Sequence, residues 1–274
     1  MEDGAVILPT TGVMGADPGS PTNLSMDKSL NKYISETGFC SRREADKYIE
    51  TGRVTINGNV AVKGNRVMPG DVVEIDGEPS KKKDKTVYLA FNKPRGITCT
   101  TDLKDKHNII AFINYKTRIF PVGRLDKDSE GLIFLTNDGD IVNKILRAGN
   151  QHEKEYVVVT SQPITESFIE KMGNGVRILD TVTKKCFVRQ EGKNRFRIIL
   201  TQGLNRQIRR MCQALGNTVV SLKRVRIMNI RLSDLPTGKW RYFTPAEIKD
   251  MEGLVANSHK TAEPPGWNGD DVQE

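Results

Sequence analysis

An aspartate in a polar turn between two apolar segments is the first residue of this chain whose type and setting could do chemistry. Asp126 closes the tetrapeptide Gly123-Arg124-Leu125-Asp126, and the flanking segments Phe120–Val122 and Leu132–Leu135 are typical of short strands. A carboxylate in such a turn can face a cleft, where it can attack a substrate or accept a proton. Taken alone, the tetrapeptide is most often an ordinary turn with a local ion pair.

Positive charge is concentrated in one part of the chain. The 274 residues include 42 Lys and Arg against 34 Asp and Glu, a formal net charge of +8, yet residues 184–241 alone hold 15 Lys and Arg against two acids. Such a concentration favours a polyanionic partner. The alternatives are a solvated basic face without a partner, a membrane surface or double-stranded DNA, although the chain has no zinc-finger or leucine-zipper pattern.

Several classes of site and protein are excluded by what the sequence lacks. The three histidines have no metal-ligand spacing and the four cysteines form no CxxC pair, so we expect no metal site and reduced thiols. No GxSxG pattern marks a nucleophilic serine. No run of about 18 apolar residues is present, which excludes a membrane-spanning helix.

The two ends of the chain are predicted to be disordered. Residues 1–27 are rich in Gly, Pro, Thr and Ser, and residues 253–274 form a polar tail. Translation could start at Met1 or at Met26. The acidic start has no Lys or Arg before Lys28, unlike a secretory signal or a mitochondrial presequence, so a cytoplasmic location is expected.

A small first domain with its linker is predicted over residues 28–85. A short helix capped by Ser29 precedes a second helix, Arg42–Glu50, which begins with the capping box Ser41-Arg42-Arg43-Glu44. Alternating apolar residues then lead into Asn57-Gly58, a strong hairpin signal because that turn needs positive φ at both positions.

A larger second domain is predicted over residues 86–252. The pattern predicts strands at Val87–Phe91, Phe120–Val122, Leu132–Leu135, Tyr156–Thr160 and Phe196–Leu200, and helices at Ile141–Arg147, Ile164–Met172 and Gln207–Leu215. Because these elements follow no regular βαβ rhythm, the predicted class is α+β, with a mixed or antiparallel sheet flanked by helices.

Four runs of sequence carry a family resemblance. Residues 30–58, with Arg42-Arg43 at the start of the second helix, resemble an S4-type RNA-binding module. Residues 123–139, 149–156 and 203–211 resemble the RsuA/RluF-like family of pseudouridine synthases, which modify ribosomal RNA. The match spans residues 28–252, and the 149–156 run looks closest to the RluF-like, large-subunit branch.

The resemblance implies a role for individual residues. Asp126 is the catalytic carboxylate, Tyr156 stacks on the target base, Arg209 pairs with Asp126, and Leu222 is an apolar residue of the active site. The cations expected to contact RNA are Lys32, Arg42, Arg43, Arg53, Arg124, Lys154, Arg206 and Arg210.

The implied reaction is the isomerisation of uridine to pseudouridine in ribosomal RNA, 23S by the branch, on a base taken out of its stack. Asp126 either attacks C1′ or removes a proton at C2′, and the sequence leaves both routes open. Neither a metal nor an organic cofactor is implied. The alternatives are a transfer RNA synthase, a non-catalytic RNA-binding or ribosome-assembly factor with the same fold, and a DNA-binding regulator. A monomer is expected.

Overall fold

The computed structural model describes residues 27–82, 84–146 and 151–256. The predictions for a disordered leader and for the start codon concern residues outside these ranges, as does the tail from residue 257. The chain divides into two compact units. Among the described residues, the smaller contains 27–33 and Arg42–Ser80, and the larger contains Ile34–Ser41 and those from Lys81 onward.

The N-terminal part of the chain forms short elements. In chain order they are β1 (Lys28–Ser29), α1 (Leu30–Glu36), α2 (Arg42–Glu50), β2 (Val54–Ile56), β3 (Asn59–Val60), β4 (Arg66–Val67), β5 (Val73–Ile75) and β6 (Glu78–Pro79). The predicted bounds of α2 are confirmed. The Asn57-Gly58 hairpin between β2 and β3 is confirmed as well, with φ of 52° and 78° at its two central residues.

The larger unit contains most of the strands. They are β7 (Tyr88–Lys93), β8 (Phe120–Val122), β9 (Glu130–Thr136), β10 (Lys154–Thr160), β11 (Arg177–Ile178), β12 (Thr181–Val182), β13 (Phe187–Gly192), β14 (Arg195–Leu200), β15 (Val219–Ile227), β16 (Ile230–Arg231) and β17 (Trp240–Tyr242). The helices among them are α3 (Ile109–Ile113), α4 (Gly139–Leu146), α5 (Glu166–Asn174), α6 (Gln207–Ala214) and α7 (Pro245–Val255).

Nine of these strands form one mixed sheet, which confirms the predicted α+β class. Its order is β13-β14-β10-β15-β9-β7-β17, with β16 beside β15 and β8 beside β9. β15 and β9 run parallel, and the other neighbours are antiparallel. β15 has a bulge: Glu155 lies opposite Arg226 and Tyr156 opposite Arg224, which leaves Val225 without an opposite residue.

Along one edge, β9 pairs first with β15 and then with β8, which leaves a gap between these two neighbours. Glu130 and Gly131 pair with β15, whereas the residues from Phe134 to Thr136 pair with β8. The loop 123–129, which joins β8 to β9, therefore lies where β15 and β8 part. Gly131 is required here because a Cβ on it would lie 2.3 Å from the backbone oxygen of Arg224.

The sheet has an apolar core on each side, because successive residues of β9 point to opposite faces. Ile133 and Leu135 pack with residues of α5 and α6, and Leu132 and Phe134 pack with residues of α4 and α7.

Three features of the larger unit depart from the sequence prediction. α7 was not predicted, and it continues to Val255, past the predicted domain end at residue 252, because Met251 and Val255 are buried in the core. The helix predicted from Ile164 begins at Glu166, since Thr165 caps it by accepting from the N–H of Phe168. β15 is a nine-residue strand that the sequence pattern did not predict.

Candidate active site

A cavity of about 560 Å³ opens in the larger unit where β15 and β8 part. The sequence-predicted site residues that line it are Arg124, Asp126, Lys154, Tyr156, Arg206, Arg209 and Leu222. They come from the loop 123–129, from β10 and β15, and from the start of α6. The structure thus brings together residues that lie up to about a hundred positions apart in the chain.

The loop that carries Asp126 is fixed by its neighbours. Leu125 is buried, its N–H donates to Cys99 Sγ at 3.4 Å, and its carbonyl accepts from the same thiol at 3.2 Å. The carbonyl of Asp126 accepts from the N–H of Ser129 at 3.0 Å, which closes a turn. The Asp126 side chain itself is 36% exposed, so a substrate can reach the carboxylate.

The ion pair that the structure shows at Asp126 is made by Arg206 and not by Arg209, the predicted partner. It is Arg206 whose guanidinium lies 3.6 Å from the Asp126 carboxylate and 3.7 Å from that of Asp128. Arg206 reaches both because it sits at the N-terminus of α6 with φ of 48°, in the left-handed region.

Arg209, one turn further along α6, contacts the loop 123–129 through other groups. Its Nη2 donates to Ser129 Oγ at 3.1 Å and to the carbonyl of Asp128 at 3.3 Å, and its Nη1 donates to the carbonyl of Val219 at 3.4 Å. Burial, together with the charge of Arg206, lowers the pKa of Arg209 from its usual value. The contacts of Arg209 hold the loop in place, and the charges of Asp126 and Asp128 partly offset the lowering of its pKa.

Arg224 is a site residue that the sequence analysis missed. It is 4% exposed and lines the cavity. Its Nε donates to the carbonyl of Leu132 at 2.6 Å and its Nη1 to that of Arg124 at 3.3 Å, while its buried Nη2 has no partner among the described residues. The guanidinium carbon lies 6.0 Å from the centre of the Tyr156 ring. A strand prediction over 219–227 would have placed Arg224 and Leu222 on one face.

Lys154 and Tyr156 project from the same face of β10 into the cavity. Lys154 Nζ donates to the carbonyl of His152 at 3.1 Å. Burial and the nearby charge of Arg224 lower the pKa of Lys154 to about 8. The cavity therefore combines a carboxylate, an aromatic ring and several cations.

The remaining predicted cations lie elsewhere. Arg210 bonds the side chain and the carbonyl of Asn205 at 3.1 Å and does not line the cavity. In the smaller unit, Arg53 packs over the Tyr48 ring at 4.1 Å and makes a bidentate pair with Asp76. Arg42 and Arg43 are exposed at the start of α2, and Lys32 is half-buried on α1.

The parts of the chain that the structure describes offer neither a metal site nor a membrane span. No group of three His, Cys, Asp or Glu residues there could hold a metal ion. No helix within residues 27–82, 84–146 or 151–256 is long and apolar enough to cross a bilayer.

Comparisons with known proteins identify the family. Residues 87–214 match the model of RNA pseudouridylate synthases, and residues 29–73 match the S4 domain. The dual-specificity RNA pseudouridine synthase RluF of Escherichia coli O6:H1 is 58% identical over 238 residues, which cover 86% of this chain and 82% of the relative. This chain is an RNA pseudouridine synthase of the RluF-like family.

More distant relatives agree with this assignment. The ribosomal large subunit pseudouridine synthase B of Bacillus subtilis is 35% identical over 82% of this chain and 96% of the relative. A crystal structure of a pseudouridylate synthase superposes with a TM-score of 0.60 at 29% identity, covering 81% of this chain and 99% of that one.

Some residues that line the cavity lie outside the segment that matches the synthase family model. The match to the synthase model ends at residue 214, before β15 begins. Leu222 and Arg224 therefore lie outside the matched residues, and it is the three-dimensional structure that places both beside Tyr156 and Asp126.

Proposed function

We propose that this synthase isomerises uridine to pseudouridine in the RNA of the large ribosomal subunit, with Asp126 as the catalytic carboxylate. The observation that carries the proposal is the presence of the Asp126 carboxylate and the Tyr156 ring in one cavity. The large-subunit substrate is supported by the Bacillus subtilis relative, which is a ribosomal large subunit pseudouridine synthase. Action on that RNA implies a cytoplasmic enzyme, and a monomer remains our prediction.

The target nucleotide has to leave its stack before Asp126 can reach it, which costs a few kcal/mol. The Tyr156 ring offers a stacking surface, worth about 1–3 kcal/mol for any base. The side chain of Leu222, which is buried at the cavity wall, gives the uracil an apolar contact. Arg224 lines the cavity, and no described residue satisfies its buried Nη2, so this guanidinium is a candidate donor to a substrate oxygen.

Two routes are compatible with a carboxylate at this position. In one, an Asp126 oxygen bonds to C1′ and the glycosidic electron pair leaves with N1 of uracil. After the uracil rotates, C5 displaces the carboxylate at C1′. In the other, Asp126 removes the C2′ proton as N1 departs, and that proton returns to C2′ when C5 bonds to C1′. In both routes C5 then loses its proton to solvent and N1 takes one up, so that the product is an isomer of the substrate. In both routes Arg206, 3.6 Å away, stabilises the negative charge of Asp126.

The test measures pseudouridine formation in an unmodified large-subunit ribosomal RNA transcript. Asp126→Asn keeps the size of the side chain and removes its charge, so it should bind RNA and give no product. Asp128→Asn is the matched control, because Asp128 lies in the same loop and is 67% exposed, and it should retain turnover. Loss of activity in both variants, or product from Asp126→Asn, would contradict the role of Asp126.

A second RNA substrate is favoured by one observation. The Escherichia coli relative is named as a dual-specificity enzyme, and transfer RNA is the second class to test. If transfer RNA alone is converted, the large-subunit assignment is wrong. If the wild type binds both RNAs and converts neither, the alternative of a non-catalytic RNA-binding factor stands.

A further inference from the structure

The cations of residues 184–241 lie on two surfaces, only one of which is the cavity. Within β15, Leu222 and Arg224 line the cavity, whereas the side chain of Lys223 points to the opposite face of the sheet. Val157 of β10 and Arg197 of β14 share that face, since Val157 lies opposite both Arg197 and Lys223 in the register. We call the surface formed here by β14, β10 and β15 the back face.

The back face contains a second hollow, of about 360 Å³. α4 and α7 pack at the end of the sheet that holds β7 and β9, whereas Val157, Arg197, Lys223 and Val225 are half-exposed. The hollow is lined by Val157, Arg195, Arg197, Lys223, Val225, Arg231, Leu232 and Ser233. Four of these residues are cations, and none of the acidic residues that the structure describes lines the hollow.

Acidic partners fix some of these cations from behind. Arg197 pairs with Glu191 at 2.6 Å and also with Glu155. Glu155 is 5% exposed and is held from its other side by Arg226 at 2.6 Å. Hydrogen bonds from the two arginines keep the pKa of Glu155 below its usual value against the opposing effect of burial. Arg197 is therefore a preorganised donor beside the hollow.

Two of the cations differ from Arg197 in this respect. Among the described residues, Lys223 and Arg231 have no acidic side chain within 4 Å. Arg195 has one contact, with Glu191 at 3.5 Å. The hollow therefore presents positive charge that the described acidic residues do not neutralise, over the apolar contacts of Val157 and Val225. Such an arrangement suits a phosphate backbone, which brings charged oxygens and apolar sugar edges together.

We propose that the back-face hollow binds the phosphate backbone of a second RNA segment, distinct from the one whose base enters the cavity. Lys223 and Arg224 are consecutive residues whose side chains lie on opposite faces of one sheet. A short RNA segment bound in the cavity therefore does not reach both. A large folded RNA offers a second segment. The proposal relies on the ribosomal substrate proposed above only for the choice of RNA.

The test compares two double variants that change the net charge equally. Lys223→Glu with Arg231→Glu reverses the two cations of the hollow that lack an acidic neighbour among the described residues. Lys171→Glu with Arg177→Glu is the control, because Lys171 on α5 and Arg177 on β11 are exposed and line neither the cavity nor the hollow. Binding to a large-subunit ribosomal RNA transcript is measured by filter retention over a series of salt concentrations, without turnover.

The hollow variant should bind at least about tenfold more weakly at low salt, and the slope of log K against log salt should fall by about 0.7–0.9 for each phosphate group that the variant no longer binds. The control should keep the wild-type slope. Lys223→Gln with Arg231→Gln should show the smaller loss expected from neutralisation, and the melting temperature of each variant establishes that it is folded.

Three outcomes would overturn the proposal. If Lys223→Glu with Arg231→Glu binds RNA as tightly as the wild type, the hollow makes no RNA contact. Binding of an acidic protein segment to the hollow would not change that conclusion. An equal loss in both double variants would show a general effect of net charge. An equal loss of affinity for a short single-stranded RNA would show that the hollow adds no second segment. A wild type that forms no pseudouridine would contradict the proposed function while leaving these slopes measurable.

Discussion

The thiol of Cys99 and the backbone of Leu125 make two reciprocal hydrogen bonds, although 26 positions separate them in the chain. Cys99 Sγ donates to the carbonyl of Leu125 at 3.2 Å and accepts from its N–H at 3.4 Å. Burial raises the pKa of the thiol, so it remains protonated and able to donate. Because Leu125 immediately precedes Asp126, Cys99 is a positioning residue for the carboxylate.

Removing this thiol should reduce turnover more than it reduces binding. In Cys99→Ala both hydrogen bonds disappear, and a displaced carboxylate should lower kcat by about ten- to a hundredfold while leaving the Kd for RNA unchanged. Cys99→Ser keeps a donor and an acceptor and should recover part of the loss. Single-turnover rates and filter binding give the two quantities.

Cys212→Ala is the matched control, because Cys212 is buried as well, whereas the thiol that bonds Leu125 among the described residues is that of Cys99. It should lower the free energy of unfolding with little effect on kcat. If both alanine variants lose kcat to the same extent, Cys99 acts through general stability and not through the position of Asp126.

Gly131 should tolerate no side chain. Its φ is 109°, and an added Cβ would lie 2.3 Å from the backbone oxygen of Arg224 and 2.7 Å from its nitrogen, at the parallel pairing of β9 and β15. Gly131→Ala should therefore fail to fold or lose several kcal/mol of stability. Gly253→Ala, in α7 with open space around it, should gain up to about 1 kcal/mol. Urea titrations followed by circular dichroism decide between these results.

Substitution of Arg206 should lower activity, whereas substitution of Arg209 should lower stability. Arg206 forms an exposed ion pair, worth about 0–1 kcal/mol, so Arg206→Gln should melt like the wild type and lose kcat/KM. Arg209→Gln leaves the Ser129 hydroxyl and two carbonyls without their donor, which should cost about 1–3 kcal/mol. Thermal melts and initial rates on one RNA provide the comparison. If instead Arg209→Gln loses kcat/KM at wild-type stability and Arg206→Gln is destabilised, Arg209 is the direct partner of Asp126.

Lys154 should make the stability of the free enzyme depend on pH in a defined window. Its pKa is about 8 in the folded chain against a usual value of 10.5, so the unfolded chain holds one more proton between these values. The free energy of unfolding therefore rises with pH across that window. Below pH 8 the burial of the charged amine costs about 3 kcal/mol. Lys154→Met should be more stable than the wild type at pH 7, with the difference vanishing above pH 10.5.

The same lysine should take up a proton when RNA binds near pH 8, because phosphates next to Nζ favour its charged form. Titration calorimetry in two buffers of different ionisation enthalpy measures the uptake, and Lys154→Met is the control. A wild type and a variant with equal uptake would place the phosphates away from Lys154.

Local signals explain what the sequence could predict. The start of α2 was predicted from the pattern Ser41-Arg42-Arg43-Glu44, and the β2–β3 hairpin from Asn57-Gly58, because both signals lie within one turn of the element that they set. The short apolar strand Phe120–Val122 has the predicted bounds for a similar reason.

Long-range contacts explain what the sequence missed. Which arginine lies beside Asp126 depends on how α6 packs against a loop some eighty residues earlier, and Gln-Ile-Arg does not report the left-handed φ of Arg206. β15 was not predicted because Lys223 and Arg224 stand together between Leu222 and Val225 and interrupt the alternation that marks a strand. The hollow on the back face could not be predicted either, because its lining depends on which strands lie beside β15.

The bulge at Val225 determines which changes of length β15 can accept. On a regular strand Arg224 and Arg226 would share a face, but the extra residue directs Arg224 to the cavity and Arg226 to Glu155 on the other side. A substitution in β15 alters one side chain, whereas a one-residue insertion or deletion before the bulge would exchange two complete surfaces. Single replacements in β15 therefore leave the two faces in place, whereas a change in its length before the bulge would disrupt both.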